Sequence, residues 1–488
     1  MQEYYLQIEA VNHAFSIYDT HDISTIRGGS YMVLDAFKAL EKNQSLQGVL
    51  DPISVAASEA IYRFEANDEQ DARKIQQDAI AALGSPTRKI ATFVSAIEAV
   101  AENSSFPECL EKLKANCRLA QYQSPSLKLP ALNKTCASES NVDGVRPSTK
   151  KVGDTLLSDS VDIRRKAGRP LKAKIYNEIL GNELIQEIFQ DEDSVFVNHL
   201  EQLSSDPAQG ILDGKIAFIY IDGNRFGRIR EKFSGSKENL KRFQSHIRDN
   251  IRKPALKSIL EFAISSERES FRTKDGEIRL ETLLWGGDEI EWVVPAWHAL
   301  DVLELFYTST AEADEIDAYK LTHSAGVVFC HHNLPILQVR KYAHELCEIA
   351  KSPIPKDVSK ITREANHIAI LNMTAFDLIR GDVRAFLQKY HHPATVDDFV
   401  FRASDFAAIA GNINALKTYI PKGKIHEMSD AVKANDQNQI EKVWQRIIEV
   451  YPQHAGELNE LKARLFPNDS WASWFAFADL MNYVGGSK

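Results

Sequence analysis

Two apolar runs, Leu283-Leu284-Trp285 and Ile290-Glu291-Trp292-Val293, flank Gly286-Gly287-Asp288-Glu289, a pattern that commits this stretch to a tight β-hairpin carrying two carboxylates. Paired glycines tolerate positive φ and put no side chain in the way, so a phosphate or nucleotide can come close to the backbone. Two carboxylates beside such an opening repel each other unless a divalent cation is present, and hard cations such as Mg²⁺ or Mn²⁺ take oxygen ligands of this kind. An ordinary hairpin can carry the same four residues, so a third carboxylate matters. Residues 216–221 read as a buried strand that ends in Asp222-Gly223-Asn224-Arg225-Phe226-Gly227.

From residue 216 the periodicity predicts a strand, a helix over 237–264, a strand into Gly286, a strand out to Val294, a helix over 297–309, a strand over 323–330 and a helix over 335–351. In this βαββαβα order a helical crossover sets the hairpin beside the first strand, so Asp222 and Asp288 are expected to meet. A less clear copy opens the chain: strand 4–10, helix 30–41, strands 53–55 and 60–64, helix 69–83, strand 90–99. Where the second copy has its acidic elements, the first has Ile8-Glu9-Ala10 and Ala56-Ala57-Ser58-Glu59, and the full carboxylate set is missing. Gly28-Gly29-Ser30 is read as the opening of a helix, whose free N–H groups could hold phosphate; simple capping by Ser30 or a tight turn is the plainer reading.

The fold class is therefore α+β: two ferredoxin-like (βαββαβ) domains at 1–102 and 211–381, a loop-rich insert with some helix at 103–210, and a helical region at 382–488. Ser, Lys, Asn and Pro cluster in 103–176, where Cys109, Cys117 and Cys136 lack Cys-x-x-Cys spacing; the reading is against zinc and for free thiols. Arg164, Arg165, Lys166, Arg169, Lys172 and Lys174 form a basic run, read as a solvated strip ahead of a phosphate or RNA contact. Trp444, Ile447, Ile448 and Tyr451, then Trp471, Trp474, Phe475 and Phe477, are expected to pack a helical core. The formal net charge of −10 argues against a whole-surface nucleic-acid binder while leaving room for a local basic groove. No apolar run reaches the ~18 residues of a membrane helix and no signal-peptide pattern opens the chain, so no membrane association and a cytoplasmic location are expected.

The second copy resembles a known family. Ile221 to Gly227, Gly286 to Glu289, Ser324-Ala325-Gly326-Val327-Val328 and Ala350-Lys351 look like the catalytic palm of the large subunit of type III CRISPR effector complexes, which is kin to the GGDEF diguanylate cyclases. Tyr5 to Val11 and Ile26-Arg27-Gly28-Gly29-Ser30-Tyr31 resemble the start of the same subunit's first palm, so the likeness spans residues 1–380, loosely outside the second palm. It implies synthesis of cyclic oligoadenylates from ATP where the palms meet, in CRISPR-type antiviral defence, with other CRISPR-type subunits or RNA as partners. By that resemblance Asp222, Asp288 and Glu289 would bind two Mg²⁺ or Mn²⁺ ions for nucleotidyl transfer. Gly223, Asn224, Phe226, Gly286, Gly287 and Lys351, with Gly28, Gly29 and Ser30, would bind the nucleotide: Asn224 by hydrogen bonding, Phe226 by stacking, Lys351 through phosphate. The family usually has two aspartates where this chain has Asp288-Glu289, and the added methylene could shift metal geometry. Its large subunit often opens with a histidine-aspartate nuclease domain, whereas this chain is expected to start directly on the first palm, His21-Asp22 being an isolated pair. Two alternatives stay open: a GTP-using diguanylate-cyclase-like enzyme, and a non-enzymatic scaffold that binds nucleotide or holds an RNA complex.

Overall fold

The computed structural model describes residues 1–127, 138–181, 196–265, 270–373, 382–467 and 470–484. Strands β1 (Gln2–Val11), β2 (Asp51–Val55), β3 (Glu59–Ala66) and β4 (Thr92–Ala99) form an antiparallel sheet in the order β2-β3-β1-β4, that of a ferredoxin-like unit. Helices α1 (Ile23–Glu41) and α2 (Glu69–Ala82) cover one face. The other is covered by α3 (Phe106–Gln123), which the loop-rich reading of the insert overlooked. Its start is written as a capping box: Ser105 Oγ accepts from Glu108 N at 3.4 Å and the Glu108 carboxylate accepts from Ser105 N at 2.9 Å. Cys109 and Cys117 lie on the buried side of α3 with Leu110 and Leu113, as core thiols; Cys136 lies outside the described residues.

The second palm repeats the topology as expected. Strands β5 (Lys215–Gly223), β6 (Glu281–Gly286), β7 (Glu289–Pro295) and β8 (His323–His331) stand in the order β8-β5-β7-β6, and the sheet continues through β9 (His367–Met373), parallel to β8, and β10 (Val400–Arg402). Helix α4 (Asp159–Leu180) follows the first palm; after β5 come the short α5 (Phe226–Phe233) and the expected 237–264 helix, present as α6 (Lys237–His246) and α7 (Lys253–Ile264) joined through a π-helical turn, Ile247–Arg252. Helices α8 (Ala299–Thr310) and α9 (Ile336–Ala350) complete the palm. The aromatic residues near the C-terminus share its core, with Trp444 and Trp474 fully buried. No helix among the described residues is long and apolar enough to cross a membrane.

Helix α4 itself (Asp159–Leu180) is the seam between the palms and corrects two expectations. The basic run on it is a solvated strip only in part: Lys166, Arg169 and Lys174 are exposed, and the others are not. Arg164 is fully buried with both terminal nitrogens on Asp19, at 2.7 and 3.0 Å, and Arg165 pairs with Asp22, the N-cap of α1. Lys172 is equally buried, 3.1 Å from Glu281 on β6, whose other oxygen is 3.0 Å from Arg27 on α1. Nor do Gly28, Gly29 and Ser30 open a helix: α1 starts at Ile23, so their N–H groups lie beyond the first turn and are spent within the helix. The glycines serve a close crossing instead. A Cβ on Gly28 would sit 1.8 Å from the Arg164 carbonyl oxygen, and Gly168 of α4 meets the Gly28 backbone from the other side. Gly28→Ala is accordingly expected to lower stability by about 2–3 kcal/mol, since α1 and α4 must separate to admit the methyl group. Urea denaturation monitored by circular dichroism measures this; a midpoint equal to that of the parent chain would contradict the crossing.

Candidate functional site

Strands β6 and β7 pair as far as Gly286 opposite Glu289, which leaves Gly287 and Asp288 as a two-residue turn with Gly287 at φ 56°. Gly286 is needed for a different reason: a Cβ there would lie 2.4 Å from the Cβ of Ala57, on the first palm's own β2–β3 turn. The tips of the two hairpins therefore touch. From behind, Arg252 in the π-helical turn donates to the Trp285 carbonyl at 2.7 Å and lies over the Trp285 ring at 4.8 Å. A bulge between Thr282 and Leu284 resets the β6 register just before the turn, a device that re-aims side chains at a strand's end.

Asp222 stands near the end of β5 and accepts a hydrogen bond from Lys351, the residue capping the C-terminus of α9. Asp288 lies beside it. Burial, and then the charge of Asp222, push the Asp288 carboxyl up to about 7, and the same two causes raise Glu289. Tyr220 donates to Glu289 at 2.8 Å, and its ring stacks on His344 at 3.5 Å. Glu291, two residues past Glu289 on the same face, is fully buried and receives Arg340 at 2.6 Å and His344 at 2.9 Å. Arg340, His344 and Lys351 thus run along one face of α9 against the acidic face of the sheet.

No three metal-ligating side chains converge on one point among the described residues, because Lys351 engages Asp222 and Tyr220 engages Glu289. The donor set nevertheless fits a hard divalent cation: two adjacent carboxylates, one forced toward its neutral form by the other, with a third next in sequence. The linkage has a definite sign. The folded pKa of Asp288 lies above its unfolded value of 3.8, so the folded chain binds more protons between about pH 4 and 7 and this group costs stability as pH rises through that window. A cation that replaces the proton offsets that cost. Mn²⁺ is therefore expected to raise the melting temperature more at about pH 8 than at about pH 5.5; equal shifts in thermal melts against a chelator control would show that the pair takes no cation.

Asp288 and Glu289 face a cavity of about 600 Å³ between the palms. The first palm contributes His13, Ile17, Tyr18, Ser30, Val33 and the Ala56–Glu59 turn; the second contributes Phe226, Arg230, Gln244, Trp285, both hairpin glycines and Arg340. Of the residues expected to bind nucleotide, Ser30, Phe226, Gly286 and Gly287 line this cavity, while Gly28 and Gly29 are packed against α4. Gly223 is covered by the ring of Phe226. Asn224 is a correction: its amide nitrogen donates to Thr322 Oγ1 at 3.0 Å and to the Ala365 carbonyl at 2.8 Å, and its oxygen accepts from Ser324 at 2.8 Å, so the side chain staples the β5–α5 loop and offers nothing to a nucleotide. Sequence reasoning missed Tyr18, Glu59, Tyr220, Arg230, Glu291 and His344. Glu291 had a signal, a charged residue pointing inward on an otherwise apolar strand; the Arg230–Glu59 ion pair across the palms, 2.6 Å, had none.

Residues 215–359 match the family of the Cas10/Cmr2 second palm domain. A search of curated proteins returns no match. Among solved structures, the chain is similar to the Csm1–Csm4 cassette in complex with cA4, at 13% identity and TM-score 0.51, over 99% of this chain and 70% of the matched one. The cassettes in complex with pppApA and with one ATP match at 14% identity and TM-score 0.51, covering 99% of this chain and 69% and 70% of theirs. At such identity the likeness is one of fold, and it extends from one end of the chain to the other. Residues 215–359 thus form a domain of the Cas10/Cmr2 second-palm family, and the chain as a whole shares the fold of these Csm1-containing structures.

Proposed function

We propose that the chain is a nucleotidyltransferase that joins ATP into cyclic or linear oligoadenylates in the inter-palm cavity, as part of a CRISPR-type defence complex. The observation that carries this reading is Asp288 and Glu289 on the wall of a cavity to which both palms contribute, with Asp222 beside Asp288. Support also comes from the similar Csm1–Csm4 cassettes, which were solved with cA4, pppApA and ATP. Those cassettes make a Csm4-like subunit the expected partner.

Asp222, Asp288 and Glu289 would hold Mg²⁺ or Mn²⁺, which when bound supplies Lewis-acid activation of a ribose hydroxyl and charge neutralisation on a triphosphate. The chain's own residues have separable tasks. Tyr220 orients Glu289 through its hydroxyl, and Glu291 holds Arg340 and His344 behind the hairpin. Lys351 neutralises Asp222 in the metal-free chain and is free to turn to phosphate once the carboxylate is otherwise engaged. The first-palm wall, of mixed small, apolar and polar side chains with its Glu59 held by Arg230 and no acidic pair like Asp222 and Asp288, suits a second nucleotide presented to the equipped palm.

The test is to incubate the purified chain with each of the four ribonucleoside triphosphates plus Mg²⁺ or Mn²⁺ and resolve products by mass spectrometry. Oligoadenylate from ATP is expected. Product from GTP alone would move the reading to a diguanylate-cyclase-like enzyme, and metal-dependent ATP binding without product would make the chain a sensor or a scaffold.

A further inference from the structure

A second cleft, of about 830 Å³, lies between segments 202–209 and 270–279 and shares no residue with the inter-palm cavity. Half-buried Ser270 stands on its wall with its hydroxyl 2.9 Å from Nε2 of His298, and Nδ1 of the same ring is 2.8 Å from a carboxylate oxygen of Asp301. His298 is the N-cap of α8 and Asp301 lies in its first turn, so the helix start itself sets the carboxylate against the ring. Phe271 and Phe262 pack on the imidazole with ring centres at 4.7 and 6.1 Å, and the Trp297 indole N–H donates to the Ser270 carbonyl at 3.4 Å. Hydroxyl and ring are thus both held. A carboxylate only accepts, so Nδ1 carries the proton, and the lone pair on Nε2 accepts from the Ser270 hydroxyl. That is the tautomer a general base requires. Arg272, two residues on, lines the same cleft and makes no side-chain hydrogen bond or ion pair among the described residues. What separates His298 from a packing histidine is that the hydroxyl it holds belongs to a cleft wall with an uncommitted guanidinium.

We infer that Ser270, His298 and Asp301 form a nucleophile, base and orienting carboxylate that hydrolyse a carboxylic ester, an activity separate from the inter-palm chemistry. Ser270 Oγ adds to the ester carbonyl carbon as its proton passes to His298 Nε2. The carbonyl oxygen takes up the negative charge, and the guanidinium of Arg272 is the cation at hand to stabilise it. Collapse breaks the bond to the alkoxy group, which leaves as the alcohol with the proton from His298, and Ser270 keeps the acyl group. Water then adds in the same way. It gives a proton to His298, the acyl–Oγ bond breaks, Oγ takes that proton back, and the carboxylic acid is released. Asp301 is a positioning residue that fixes the ring and its tautomer. Gln202, Ser205, Gln209 and Thr273 make the remaining lining largely polar, which suits a short acyl group over a fatty one.

The experiment treats the full chain with a fluorophosphonate probe, locates the adduct by peptide mass spectrometry, and measures hydrolysis of p-nitrophenyl acetate. An adduct on Ser270 is expected, and Ser270→Ala should lower the hydrolysis rate by about a hundredfold or more, the scale of a lost nucleophile and its base. Asp301→Asn should slow labelling of Ser270 by about a hundredfold, because an amide can donate and so lets Nδ1 become the acceptor. Asp301→Glu, still acceptor-only, should recover part of that loss, a rescue that a merely structural role would not give. Thermal melts establish that the variants fold. No adduct on Ser270, or acetate hydrolysis equal in the parent and folded Ser270→Ala, overturns the inference; equal labelling of the parent and folded Asp301→Asn removes the orienting carboxylate and with it the triad.

Discussion

Asp288→Asn is expected to cut oligoadenylate synthesis by at least about a thousandfold while leaving the metal-free chain more stable than its parent at about pH 8. The two effects have one origin. Asp288 is desolvated and sits against the charge of Asp222, so its ionised form is disfavoured in the folded state and is retained for what it can bind. An amide removes the repulsion and, with it, an anionic ligand for the divalent cation, a loss on the scale of about 4 kcal/mol of transition-state stabilisation. Below about pH 4 the carboxyl is protonated in the folded and the unfolded chain alike, and the stability difference should vanish there. Melting curves at both pH values, beside product analysis, check the prediction. Turnover retained in the variant would remove the hairpin from the chemistry.

The largest expected stability change lies outside the cavity. Glu281→Ala should cost about 3–5 kcal/mol, because it strands two buried cations, Arg27 and Lys172, whose shared counter-ion is gone. Lys172→Met should be close to neutral, since Arg27 still pairs Glu281 and the thioether side chain fills the apolar surroundings of the ammonium group. Burial already pushes the Lys172 ammonium down to about 8, a sign that its charge is held at a cost. Equilibrium unfolding of both variants gives the comparison; equal losses would mean that the three groups act as separate pairs.

How far residue patterns reach is visible in particular elements. Both βαββαβ repeats were legible because their strands are apolar runs bounded by turns, and Asp222 and Asp288 were legible because each ends such a run. The strand His367–Met373 was not foreseen, since a short apolar run with no hairpin partner can be helix or strand until β8 pairs with it. The insert misled for a compositional reason: α3 and α4 carry many polar residues, yet a capping box and a buried Arg164 show that they are packed. Gly28-Gly29-Ser30 looks the same in sequence whether it opens a helix or lets two helices touch. Only the position of α4, 136 residues from Gly28 at Arg164, distinguishes them. Asn224 was misassigned for a similar reason, because its three partners come from residues 322, 324 and 365.

The α1–α4–β6 seam also limits how this molecule can move. Hinged clamping around a substrate requires an interface that slides or opens, whereas here it is crossed by fully buried charges and by main chain packed on main chain. Swinging the two halves apart would break the pairs of Glu281 with Arg27 and Lys172 and unpack main chain from main chain, which makes such an opening costly. The space between the palms is therefore a chamber of fixed width. Admission and release fall to the side chains at its mouth, so turnover should depend on rotamer exchange rather than on domain closure.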